Sequence, residues 1–151
     1  MGQSLNDNMI EIVRNHAGEM AESWVRAIKA NSKTSSYHSL PGELCLSRAF
    51  TFYTNIKILY KSEKPHHEVV SFFSRYAEQS FKNDIPLQEA IYALTMLKRG
   101  IWLYPEIQHI FLTTFDQKMI IESFNRTIRL FDLGAHVVIS KYQEINKEGI
   151  K

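Results

Sequence analysis

The chain has 151 residues, 44% hydrophobic and 23% charged, a balance that excludes intrinsic disorder and suits a single domain over 1–151. Its formal net charge of +2, with acids and bases interspersed, leaves no electrostatic footprint for nucleic acid or an anionic membrane. Cys45 is the sole cysteine, which excludes an internal disulfide; with no basic-then-apolar leader at the N-terminus, a reducing cytoplasm is the expected compartment.

In chain order, Ser4 and Asp7 have the spacing of a capping box. Met9, Val13, Ala17, Met20, Trp24 and Ile28 then recur at helical spacing, predicting one first helix to Ala30. The polar, Ser-rich run NSKTSSYHS reads as a surface loop. Pro41 and Gly42 restart structure, and Leu44, Cys45, Ala49, Phe52, Ile56 and Leu59 line one face of a second helix. Ser62 and Pro65 mark the start of a third, because proline costs nothing in a first helical turn. Val69, Phe72, Phe73, Tyr76, Ala77 and Phe81 follow in it, and Asn83-Asp84 ends it. Pro86 opens a fourth, with Leu87, Ala90, Ile91, Leu94, Leu97 and Ile101, which Pro105 breaks. A short helix with Ile107, Ile110 and Phe111 leads to the last one. No useful period-2 alternation occurs, so the expected fold is an all-α bundle of about six helices.

The terminal helix, expected over Asp116–Glu148, would be about 50 Å long, more than the roughly 30 Å diameter of a domain this size. Ile121, Phe124, Ile128, Phe131, Ala135, Val138, Tyr142 and Ile145 step along it at alternating spacings of three and four, as in a coiled-coil seam. Leu130, Leu133 and Val137 form a second row on the far side. The tail from Ser140 keeps only Tyr142 and Ile145 apolar on the seam, the narrow stripe of a bare paired helix. The expectation is a homodimer built on this helix, with the tail leading to an output domain or partner.

Chemistry is sparse. His66-His67 point about 100° apart on a helix and have no Cys, Asp or His at i+3 or i+4 to complete a metal site. Ala135-His136 invites comparison with histidine phosphotransfer domains, but Ile139 and Ser140 stand where those carry lysine and glycine, and the lysine is displaced to Lys141. His109, in PEIQHIFLTTF, is the alternative haem ligand, being flanked by apolar residues at helical spacing. There is no GxSxG elbow, HExxH or phosphate-binding glycine loop, so neither enzymatic activity nor a cofactor is expected. The aromatics Phe50, Phe52, Tyr53, Phe72, Phe73, Tyr76, Phe81, Trp102 and Tyr104 sit at core spacing and leave room for a small-molecule pocket between helices.

The segment DIPLQEAIYALTMLKRGIWLY, with Trp24 and the closing FDLGAHVVISKYQE, resembles the N-terminal sensory domain of RsbR-type stressosome co-antagonists, also found in some bacterial sensor histidine kinases. Ile85, Pro86, Leu87 and Glu89 occupy the turn of that pattern; Leu94, Leu97 and Arg99 match its continuation, and Tyr142 stands where the output helix leaves. The resemblance implies a globin-like fold without haem, dimerisation through long helices and a C-terminal STAS or kinase output domain. It implies a role in sensing stress or another signal. The sequence in hand ends at Lys151, before any such output domain, so the expectation is that it forms the N-terminal part of a longer protein.

Overall fold

Every apolar run that predicts a helix forms one. The computed structural model describes residues 4–61 and 67–149, and among these residues there is no strand. The starts read from Ser62 and Pro65, and His66, lie outside the described residues. The helices are α1 (Leu5–Asn15), α2 (Ala17–Ala30), α3 (Gly42–Thr54), α4 (Ile56–Lys61), α5 (His67–Lys82), α6 (Leu87–Leu103), α7 (Pro105–Leu112) and α8 (Gln117–Gly149).

Two runs expected as single helices are each divided. The first breaks at His16, whose backbone leaves helical geometry at φ −117°, ψ 21°. The imidazole is held there by Glu106 (3.1 Å) and Glu19 (3.6 Å), partners from α7 and α2. The second breaks at Asn55, whose amide donates to the Thr51 carbonyl at 2.7 Å. Such local side-chain bonds compete with the helix ladder, and apolar periodicity does not register them. Ser4 caps α1 as expected, its Oγ accepting from the Asp7 N–H at 3.1 Å.

The Ser-rich segment lies at the surface, with Ser32, Lys33, Ser35, His38 and Ser39 exposed, but it is not an irregular loop. Ser32–Tyr37 winds into a 3₁₀ turn that buries Thr34 and Tyr37 completely. Its polar groups find partners inside the molecule. Thr34 donates to the Ile28 carbonyl (2.7 Å), Ser36 gives its N–H and hydroxyl to Glu89 (2.8 and 2.5 Å), and Lys29 donates to the carbonyls of Tyr37 and Leu40.

Helix α6 is the axis. Its Ala90, Ala93 and Leu97 carbonyls accept from Tyr76 of α5 (2.8 Å), Trp24 of α2 (3.0 Å) and Tyr53 of α3 (2.9 Å). Gly100 lets Tyr53 in, for a Cβ there would stand 2.7 Å from its hydroxyl.

Helix α8 has 33 residues, about 50 Å at 1.5 Å each, and packs chiefly on α5 and α6. The middle of its buried face is Ser123, Thr127 and Gly134, small residues flanked by apolar ones. Placed at about 100° per residue, these lie between the seam and the second row rather than on either. Gly134 sits against the fully buried Phe73 ring of α5, where a Cβ would come within 2.7 Å. Thr127 accepts from Tyr60 (3.0 Å). Phe131, Val138 and Tyr142, expected on the dimer seam, are therefore inside this chain's own core, at 5%, 0% and 4% exposure.

The tail is likewise anchored, not bare. Tyr142 donates to the Ile85 carbonyl (2.7 Å) and meets Phe81 edge-on, while Lys141 reaches Glu78 of α5 at 3.3 Å. A tyrosine on a seam looks apolar in a periodicity count, yet its hydroxyl reached a carbonyl at the end of α5.

The Phe73 contact makes Gly134→Ala destabilising by about 1–2 kcal/mol even though alanine is the better helix former by about 1 kcal/mol. Gly18, in α2 with open space around it, gives the opposite sign, Gly18→Ala stabilising by several tenths of a kcal/mol, about 0.5. Urea unfolding of the two variants beside the parent measures both.

Candidate functional site

Three features stand out once the core is accounted for. The first is an apolar surface where α7 meets α8. Leu112 (85%), Phe115 (97%), Ile121 (59%), Phe124 (42%) and Ile128 (54%) are exposed there. Phe124 stacks on Phe111 with ring centroids 5.4 Å apart and planes 7° from parallel, and both meet Trp102 edge-on at 5.2–5.3 Å. The three rings thus form one packed aromatic platform rather than scattered surface residues. Beyond Ile128 the stripe continues through the half-buried Ala135 to the exposed Ile139. Of the expected seam, then, Ile121, Phe124 and Ile128 are exposed, Ala135 and Ile145 are half-buried, and Ile139 joins the exposed set. Ile139 sits four residues past Ala135 and was missed because Val138 filled the heptad slot. Monomeric proteins rarely show contiguous apolar patches of this kind without a binding role.

The second feature is a cleft of about 300 Å³ between α2 and α6. Met20, Trp24, Met96 and Gly100 line it, and Glu19, Arg26 and Arg99 add charge. Of the aromatics expected to outline a pocket it uses only Tyr53 and Tyr104. Phe52 and Phe73 are fully buried packing and Phe50 is exposed.

The third is a buried polar cluster where the 3₁₀ turn, α3, α5 and α8 meet. Tyr37 packs edge-on against Trp24, and its hydroxyl lies near Tyr76 and Ser80 without completing a hydrogen bond. Burial pushes its pKa up to about 12. Desolvation likewise raises Tyr53, Tyr60, Tyr76 and Tyr142 and the Cys45 thiol, the last against the pull of Lys29 and Arg48. Arg48, on α3, crosses to the end of α5, donating Nη2 to the Gln79 carbonyl (3.3 Å) and to Asn83 Oδ1. That end is shaped by Asp84 in the left-handed region (φ 59°), with Ile85 N–H closing on the Ser80 carbonyl at 3.0 Å.

Among the described residues the histidines are not brought together. His109 is exposed on α7, whereas an axial haem ligand works from inside an apolar pocket. His136 is exposed on α8, and the displaced Lys141 is engaged by Glu78 and Glu144. Among the described residues no group of three or more His, Cys, Asp or Glu is placed to hold a metal ion, and no helix is long and apolar enough to cross a membrane.

The tyrosines predict an alkaline transition. Unfolded tyrosines ionise near pH 10, while Tyr37 keeps its proton to about 12 and the other buried four hold theirs above 10 as well. The unfolded state therefore sheds protons that the folded state retains. Stability is full below pH 10 and falls as pH rises from 10 towards 12, by about 1.4 kcal/mol per pH unit for each such group. Tyr92, lowered beside Arg99 and Asn31, ionises first. Absorbance titration should show an early single-tyrosine step and then a cooperative one coincident with loss of helical circular dichroism.

Compared with known proteins, the chain matches no family model, no curated protein and no solved structure.

Proposed function

We propose that this chain is a non-catalytic sensory or regulatory domain that pairs with a second copy through the outward stripe of α8 and passes a signal along that helix to an effector. The observation that carries the reading is the aromatic platform and the stripe continuing from it: Leu112, Phe115, Ile121, Phe124, Ile128 and Ile139, all exposed on α8, the turn before it and the end of α7. A second copy is the occupant that suits the stripe. Exposed Lys118, Glu122, Arg129 and Asp132 carry two charges of each sign on the same helix, a balance compatible with self-pairing. The Trp102–Phe111–Phe124 cluster offers the kind of aromatic anchor that dominates interface energetics.

The inward face of α8 supports the transmitting half of the reading. It couples directly to the bundle, Gly134 against Phe73 of α5, Thr127 against Tyr60 of α4 and Tyr142 on the Ile85 carbonyl, so a rearrangement of those elements is felt along α8. A change in the bundle would bias how two copies of α8 pack. The α2–α6 cleft is large enough for a small-molecule signal. This reading agrees with the resemblance to the stressosome and kinase sensory domains, with their globin-like fold and their STAS or kinase output.

Phe124→Glu with Ile128→Glu should turn a concentration-dependent dimer into a monomer in light scattering while leaving the melting temperature within a few degrees, about 3 °C. Val138→Glu, inside the core, should instead unfold the chain, separating surface from packing effects. For a parallel pair, cysteines placed singly at Ile128 and at Ala135 should each cross-link to the same position of the other copy. Cys45 is buried and stays silent. A parent chain that stays monomeric at about 10⁻⁴ M would end the proposal.

A further inference from the structure

The cleft between α2 and α6 has an apolar floor and a basic rim. Met20, Trp24, Tyr53 and Met96 line it, each at most 6% exposed. The polar atoms of that floor are already engaged, Trp24 Nε1 with the Ala93 carbonyl (3.0 Å) and the Tyr53 hydroxyl with the Leu97 carbonyl (2.9 Å). Small residues leave the space open: Ser23 and Ala27 line it from α2, and Gly100 from α6, where a Cβ would meet the Tyr53 hydroxyl. Arg26 and Arg99 stand at the rim, one from each helix and both exposed. Neither forms an ion pair among the described residues. Arg99 lies 5.8 Å from the centre of the Tyr92 ring and Lys33 lies 5.5 Å from the same centre, so the basic edge extends beyond the cleft. Glu19, the acid of the lining, already accepts from the Tyr104 hydroxyl (3.0 Å) and lies 3.6 Å from His16.

We propose that this cleft binds a small aromatic carboxylate of one or two fused rings, with its ring on the Met20–Trp24–Met96 floor and its carboxylate at Arg26 and Arg99. The floor selects the body of the ligand. With Trp24 Nε1 and the Tyr53 hydroxyl engaged, a polar ligand atom placed there would lose its water with nothing to replace it. Two thioethers favour a ring over an open chain, because methionine sulfur makes favourable contacts with aromatic edges. The rim selects the charge. A carboxylate accepts paired N–H bonds from a guanidinium, whereas an ammonium group would meet like charge from both helices. Size excludes more: about 300 Å³ is at the small end of ligand sites, enough for one or two rings and too little for haem or a dinucleotide. The inference names the class of signal for the cleft and so rests on the sensory reading. It is independent of self-pairing, since none of the cleft residues lies on α8.

The test titrates the full chain with naphthoate and, in parallel, with naphthamide, the same ring without the charge, and follows the methionine methyl groups by NMR. Naphthoate should bind with a Kd on the order of 10⁻⁴ M and move the Met20 and Met96 methyls while leaving Met9 and Met119 in place. Naphthamide should bind about tenfold more weakly. Arg26→Gln with Arg99→Gln, both at exposed positions, should lower naphthoate to the affinity of the amide. Ala27→Trp, also exposed, should fill the cleft and abolish binding of both. Equal affinity for naphthamide, undiminished binding in either variant, or no Met20 and Met96 shift would overturn the proposal. So would nonanoate moving the same two methyls with equal affinity. Light scattering of the same samples reads self-pairing separately. A monomer that still shows the Met20 and Met96 shifts ends the pairing alone, and a dimer without them ends the cleft alone.

Discussion

Helix α6 holds the molecule together because its carbonyls accept from three sides. Each of Ala90, Ala93 and Leu97 already takes a hydrogen bond within its own helix and uses its remaining lone pair for an aromatic side chain from elsewhere. Tyr76, Trp24 and Tyr53 bring α5, α2 and α3 to α6 at fixed heights. A core made only of Leu and Ile would allow these helices to slide; an aromatic ring with one polar atom and one reachable carbonyl does not. Glu89, near the start of α6, adds the 3₁₀ turn by accepting twice from Ser36. Everything that faces solvent as a candidate site is positioned from this axis.

Helix α8 shows how one element serves two surfaces. Its contact with the bundle runs along Ser123, Thr127 and Gly134, where small side chains let backbones approach. Apolar residues flank that line on both sides, and on one side they exceed what the bundle covers. The excess is the outward stripe of Ile121, Phe124, Ile128 and Ile139. The heptad seam therefore belongs partly to the core and partly to the surface, dividing near Phe131. Beyond that point Lys141 and Tyr142 fasten the helix to α5 and to the carbonyl at its end.

Much of the architecture was legible. The all-helical class, the Ser4 cap, the break at Pro105 and the length of α8 follow from spacing and punctuation, which are local properties of the chain. The interruptions at His16 and Asn55 were not legible, because each depends on a side chain choosing a polar partner over helical continuity. The burial of Tyr37 and Thr34 was hidden for a related reason: a polar run looks solvated until its donors are matched to Ile28 and Glu89 from other elements. The candidate site was legible only in part. The exposed portion of the seam was named from periodicity, but Ile139 and the Phe115 turn were not, and nothing local ties Arg48 to Ser80 and Tyr37.

By itself the sequence determined where helices form, which of their faces are apolar, and that the last helix carries more apolar surface than one contact needs. These follow from dihedral preference and residue spacing. Only the tertiary structure decided which apolar residues are spent inside the chain, that small residues such as Gly134 mark the line of closest approach, and that Arg48 ends with N–H groups unpaired among the described residues. Those outcomes depend on distances between elements remote in sequence, where a contact is settled by what the opposing helix presents.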